Sequence, residues 1–304
     1  MFEQGNVVGD AIYKKICPKC GAERVDDQLG LEETPQEYVA NLVEVFRQVR
    51  RVLRDDGTVW LNLGDSYSSG GRKTTTNQTV RGDTDYGVTR PPVYKGIKPK
   101  DLVGIPWRVA FALQEDGWYL RQDIIWNKPN PMPESVKDRC TKSHEYIFLL
   151  SKSKNYYFDN KSIKEDCSEN NIQDFKKRKT LDNKGKDVFN SYDTVRPDLT
   201  RDRTDYMPND FKKNKRSVWT VSTKPYKEAH FATYPPDLIE PCILAGCPEE
   251  GHVLDPFGGA GTTALVSDRL GRNATLIELN KSYADIMEKR LRNDNSLFLD
   301  LETT

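Results

Sequence analysis

Apolar residues change their spacing repeatedly along this chain. From Glu33 to Leu53 the apolar positions Tyr38, Leu42, Val43, Phe46, Val49 and Leu53 recur at helical steps. Thr34 suits the N-cap, Pro35 the first helical position and Glu37 the return leg of a capping box. Asp56-Gly57 ends that unit, and Thr58 to Leu63 is nearly continuous in apolar residues, the pattern of a strand buried on both faces. Helical spacing returns from Leu102 to Gln114. Trp118 to Trp126 reads as a strand, followed by the stiff loop Asn127-Lys128-Pro129-Asn130-Pro131-Met132-Pro133. A further strand covers 144–150. The periodicity then breaks from Lys152 to Lys227 and resumes with a helix from Asp237 to Ala245.

The last third is the most ordered in pattern. His252 to Leu254 is a short strand ending on Asp255, and the turn Gly258-Gly259-Ala260-Gly261 follows. Thr262 to Leu270 predicts a helix, and Ala274 to Ile277 a strand that stops at Glu278. The stretch after Glu278 has room for one further strand. Strands alternating with helices predict an α/β fold with a doubly wound, mostly parallel sheet. Its remaining strands must come from upstream, at 58–63, 118–126 and 144–150.

Bulk charge changes little in this picture, since 46 Lys and Arg balance 46 Asp and Glu over 304 residues. Its distribution changes more. The aperiodic region carries a basic excess, including Lys176-Lys177-Arg178-Lys179 and Lys212-Lys213-Asn214-Lys215-Arg216. Aromatic residues such as Tyr156, Phe175, Tyr206 and Trp219 are dispersed through it, a composition suited to phosphates and bases. Ser68 to Lys100 reads as a polar surface loop. No apolar run approaches a membrane span and the N-terminus has no signal-peptide pattern, so a cytoplasmic, membrane-free protein is expected. Six cysteines in this length are not a disulfide framework. Cys17 and Cys20 form one CxxC knuckle, half of a four-ligand zinc site with no second half to close it.

The glycine turn fixes the candidate chemistry. Glycines between a strand and a helix let backbone approach a ligand at the helix N-terminus, where free N–H groups favour anions. A carboxylate at the tip of the next strand, Glu278, suits a pair of ribose hydroxyls. Gly259 to Ala264 matches a nicotinamide-dinucleotide fingerprint by letter. Asp255 argues against it, because a carboxylate at the strand end repels a pyrophosphate and suits a cationic amino group. Upstream, Asp65 and Tyr67 lie where a strand ends, the sheet edge at which α/β folds bind ligands. His144 and Glu145 are candidates for acid–base work, or for a structural pair.

These residues resemble the site-specific DNA methyltransferases that modify N4 of cytosine or N6 of adenine, in the permuted class whose catalytic half precedes its cofactor half. Asp255-Pro256-Phe257-Gly258-Gly259-Ala260-Gly261-Thr262-Thr263 is similar to that family's S-adenosylmethionine motif. The resemblance implies cofactor contacts from Asp255, Phe257, Gly258, Gly259, Gly261, Thr262 and Thr263. It extends them to Glu278 and Asn280, and to Thr233 and Pro235 in the segment that closes the methionine pocket. Asp123 to Lys128, Asn130 to Pro133 and His144-Glu145 resemble the lining of the flipped-base pocket, which brings Asn130, Pro131 and His144 beside Asp65 and Tyr67 as candidate base-side residues. The implied organisation is a segment at 1–34, a catalytic half at 35–151, a target-recognition region at 152–228 and a cofactor half at 229–304.

One part of the family pattern has no counterpart. Its catalytic loop is Asp, Asn or Ser, then two prolines and an aromatic, and it precedes the helix that here starts near Pro35. Arg90-Pro91-Pro92-Val93 and Tyr234-Pro235-Pro236-Asp237 lack its polar first and aromatic last positions. The expectation is therefore a methyltransferase acting on double-stranded DNA, with N4 of cytosine favoured, whose chain starts after that loop. A cognate restriction endonuclease is an expected companion. The rival expectation is an inactive relic that binds DNA and S-adenosylmethionine.

Overall fold

Thr34 starts the first helix through a closed capping box. Its hydroxyl accepts from Glu37 N–H at 3.2 Å, and its own N–H donates to Glu37 Oε2 at 3.1 Å. The resulting helix, α1 (Pro35–Val52), buries Leu42, Val43, Phe46 and Val49, the face its spacing predicts. The computed structural model describes residues 29–30, 32–68, 96–170, 172–173, 211–224 and 233–294. Cys17 and Cys20, His230, and most of the basic region lie outside the described residues. The chain divides into two compact units, Met1–Tyr156 with Leu279–Lys281, and Tyr157–Glu278 with Ser282–Thr304.

In the first unit, α1 is followed by β1 (Thr58–Leu63), α2 (Ile105–Glu115), β2 (Tyr119–Asn127) and β3 (His144–Ser151). β3 lies between β1 and β2 and runs antiparallel to both, with Leu61 opposite Phe148 and Ile124 opposite Ile147. The core is the apolar run Ile147 to Leu150 together with Val103, Val109, Leu113 and Ile124, all nearly inaccessible to solvent. Trp107 of α2 sets its ring edge-on against Tyr146 and Phe148 at centroid distances of 5.6 and 5.1 Å. Arg47 and Asp116 tie α1 to the end of α2 at 2.7 Å.

In the second unit, short antiparallel strands β4 (Glu165–Asp166) and β5 (Lys212–Lys213) pair, and β6 (Val218–Thr220) follows. Then come α3 (Pro236–Gly246), β7 (His252–Asp255), α4 (Thr262–Arg269), β8 (Asn273–Leu276) and α5 (Lys281–Asn293). β7 and β8 pair in parallel, the sense expected of a doubly wound sheet. Ile243, Cys247 and Val266 pack with Ile239, Val253 and Leu270 to bury α3 and α4 against β7.

The described part of the stretch after Glu278 forms α5. Tyr283, Met287 and Leu291 stand at four-residue steps there, a helical signal. The parallel sense holds for β7 and β8, whereas β3 reverses beside β1 and β2 because a returning loop, not a helix, joins it to β2. None of the described helices is long and apolar enough to cross a membrane.

Candidate active site

The parallel pairing of β7 and β8 places Asp255 beside Leu276 and so brings the two predicted carboxylates to one strand edge. The turn leaving β7 is laced to the exit of β8. Ile277 N–H donates to Asp255 O at 2.9 Å, and Gly258 N–H to Ile277 O at 2.8 Å. Gly259 N–H donates to Glu278 Oε2, also at 2.8 Å. Two glycines serve this geometry differently. A Cβ on Gly261, whose φ is 77°, would lie 2.5 Å from Met287 Cγ on α5. Gly259, at φ 49°, has only Phe257 O within 4 Å of that position, so it is the residue that leaves open space beside the turn.

Asp255 is held by three neutral donors. Phe257 N–H reaches Oδ1 at 2.9 Å, while the hydroxyls of Tyr234 (3.0 Å) and Thr263 (2.5 Å) both reach Oδ2. A carboxylate offers about four lone-pair positions, so three neutral bonds leave the charge intact and one position open. Thr263 enters as the second residue of α4, at a helix N-terminus whose cap, Gly261, supplies no side chain. Burial first, and then the charge of Asp255, push the Tyr234 hydroxyl well above the ordinary tyrosine range. Sequence reasoning singled out Thr233 and Pro235 but missed Tyr234, which carries the contact to Asp255. Its only signal was its place within that segment.

The other candidate residues have surroundings of their own. Thr262 is buried, and its hydroxyl is engaged from α5 by Arg290 Nη1 at 2.9 Å, which also reaches Ala260 O at 3.0 Å. Thr262 thus helps to fasten the turn. Thr233 and Pro235 line a cavity of about 400 Å³ with Tyr234, Leu265, Arg269 and Arg290, and its lining includes neither Gly259 nor Glu278. Phe257 is 46% exposed at the open turn. Groups of three or more metal-binding side chains do not occur among the described residues.

In the first unit the base-side candidates separate by role. Asp65 Oδ1 accepts from the N–H groups of Ser66 (2.9 Å), Gly104 (2.9 Å) and Ile105 (3.1 Å), and thereby caps α2 from about 40 residues away in sequence. The left-handed residue Gly104 has no side chain to do so. We expect Asp65→Ala to destabilise the protein by about 1–2 kcal/mol, the cost of a lost helix cap. Asp65→Asn should lose less; urea denaturation of both variants checks this. Tyr67 lies beneath the Arg139 guanidinium, 3.8 Å from its ring centroid, and Arg139 in turn pairs with Glu134 at 2.6 Å. His144 meets Tyr146 edge-on, while Glu145 pairs with Lys128, not with His144. Asn130 is exposed and Pro131 half-buried in the loop after β2.

Lys142, which sequence reasoning did not single out, joins this cluster through a 2.9 Å bond from its ammonium to Asp65 O. Burial holds its pKa below the ordinary lysine range, against the opposing pull of Asp65 and Glu145. Between that depressed value and the ordinary value of about 10.4, the unfolded chain keeps a proton the folded chain has released. Stability therefore rises with pH across that window. Lys142→Met is expected to flatten the rise, read as the variant-minus-wild-type difference in urea midpoint along an alkaline pH series.

Comparison with known proteins identifies the family. The model of the N6/N4 DNA methylases, described as "DNA methylase", matches residues 7–289. Type II methyltransferase M.SmaI of Serratia marcescens is 47% identical over 267 residues, 87% of this chain and 77% of that protein. M.Cfr9I of Citrobacter freundii is 43% identical over 272 residues, 90% and 77% of the two chains. Among solved structures, the cytosine-N4-specific PvuII DNA methyltransferase superposes with a TM-score of 0.54 at 18% identity, covering 92% of this chain and 77% of that one. A putative DNA modification methylase of Thermus thermophilus, solved with S-adenosyl-L-methionine, gives 0.51 at 18% identity, covering 88% and 84%. At such identity these two show a shared fold. The nicotinamide alternative falls with this result: the chain belongs to the N6/N4 DNA methylase family.

Proposed function

We propose that the chain transfers a methyl group from S-adenosylmethionine to an exocyclic amino group in a specific DNA sequence, N4 of cytosine by preference. The observation that carries this reading is the turn at Asp255–Thr263. It is closed by its own hydrogen bonds, open at Gly259, and flanked by two carboxylates. The free lone-pair position of Asp255 takes the cofactor's ammonium, and Glu278 takes the ribose hydroxyls while holding the turn through Gly259 N–H. The turn fits the cofactor on a second ground, since a dinucleotide's pyrophosphate would face Asp255.

When bound, the cofactor supplies an electrophilic methyl on its sulfonium. The protein's part is to hold that methyl in line with the target nitrogen and to exclude water, so positioning supplies much of the rate. The target base must leave the duplex to be reached. We assign Tyr67, Asn130, Pro131 and His144 to the base side. Residues 152–228 are assigned to target recognition, with Lys212, Lys213 and Arg216 offering positive charge on and after β5. Of these, Arg216 is shared with Glu165 at 3.4 Å. Double-stranded DNA is the substrate, and a restriction endonuclease of the same specificity is the proposed companion.

Purified protein incubated with methyl-labelled cofactor and genomic DNA tests this. After hydrolysis to nucleosides the label is expected in N4-methylcytosine. Label in N6-methyladenine would overturn the choice of base, and tight cofactor binding with no label in any base would favour the inactive-relic reading.

A further inference from the structure

Three oxygens meet at the base of the cofactor turn with too few hydrogens between them. Tyr234 Oη lies 3.0 Å and Thr263 Oγ1 2.5 Å from Asp255 Oδ2, and the two hydroxyls are 2.7 Å apart. Each hydroxyl has one hydrogen, so two hydrogens serve three contacts. With both aimed at the carboxylate, the hydroxyl oxygens face one another with lone pairs alone. A neutral hydroxyl pair in that state, next to a carboxylate with an open position, is matched by an N–H donor carrying positive charge.

We propose that Tyr234 is a specificity-determining residue: with Thr263 it orients Asp255 and completes the receptor for the ammonium at the amino-acid end of the cofactor. This rests on the S-adenosylmethionine reading of the site and deepens it. Phe257 N–H fixes one carboxylate oxygen and the two hydroxyls fix the other, so the remaining lone pair has a defined direction. Without the Tyr234 hydroxyl, Asp255 gains rotational freedom and the ammonium loses an acceptor. The adenine and ribose ends do not depend on this contact, because Glu278 is held through Gly259.

The test compares two probes by calorimetry, S-adenosylhomocysteine with its amino-acid end and 5′-methylthioadenosine without it. Tyr234→Phe is expected to weaken S-adenosylhomocysteine binding by about tenfold, or about 1.4 kcal/mol, and to leave 5′-methylthioadenosine binding unchanged. Thr263→Val, which alters the other hydroxyl, is expected to show the same selectivity. Equal losses for both probes would mean that Tyr234 only supports the fold, and no loss or tighter binding would remove its role; either result overturns the proposal. Wild-type protein that binds neither probe would overturn the cofactor reading itself.

Discussion

Asp255→Ala is expected to abolish measurable S-adenosylmethionine binding, lowering affinity by at least about a hundredfold, or about 2.7 kcal/mol. The substitution removes the carboxylate that faces the ammonium and strands three donors, Phe257 N–H and the hydroxyls of Tyr234 and Thr263. Stranded donors also cost stability, so the comparison needs Asp255→Asn, which keeps the shape and loses the charge. Equilibrium dialysis with labelled cofactor, paired with thermal melts, separates the two effects. Wild-type affinity in a folded Asp255→Asn protein would show that the charge is not what the cofactor meets.

Gly261→Ala is the second large effect, and it acts on the fold. Gly261 occupies the left-handed region at φ 77°, where an L side chain costs about 1–2 kcal/mol. Its new Cβ would also stand 2.5 Å from Met287 Cγ, an overlap of the kind that costs about 1–3 kcal/mol more. We expect a loss of about 2–5 kcal/mol, the sum of those two costs, read as a lower urea midpoint with cofactor binding weakened in step. A second change, Met287→Ala, should restore part of the loss by opening space. If the double variant is no more stable than Gly261→Ala alone, the clash is not the cause.

Much of this architecture is legible without coordinates. The capping box at Thr34 and Glu37, the apolar run of β1, and the strand–turn–helix–strand from His252 onward are local patterns, and local patterns survive folding unchanged. What the sequence conceals is long-range. Asp65 has the look of a ligand-binding acid at a strand end, yet its partners are the N–H groups of Gly104 and Ile105, far along the chain. Thr262 sits inside a cofactor motif, but its hydroxyl is met by Arg290 of α5, 28 residues along the chain. Tyr234 and Lys142 carry no motif of their own. Their roles come from burial and from what faces them, Asp255 in one case and Asp65 O in the other. A single sequence does not display such pairings.

Methyl transfer itself is the most informative property to measure. The direct test of the central claim is base-resolved sequencing of DNA from methylation-free cells expressing this chain. The account predicts one short sequence modified throughout the genome, at N4 of a cytosine. Unmodified DNA from cells whose purified protein nevertheless binds S-adenosylmethionine tightly would contradict it.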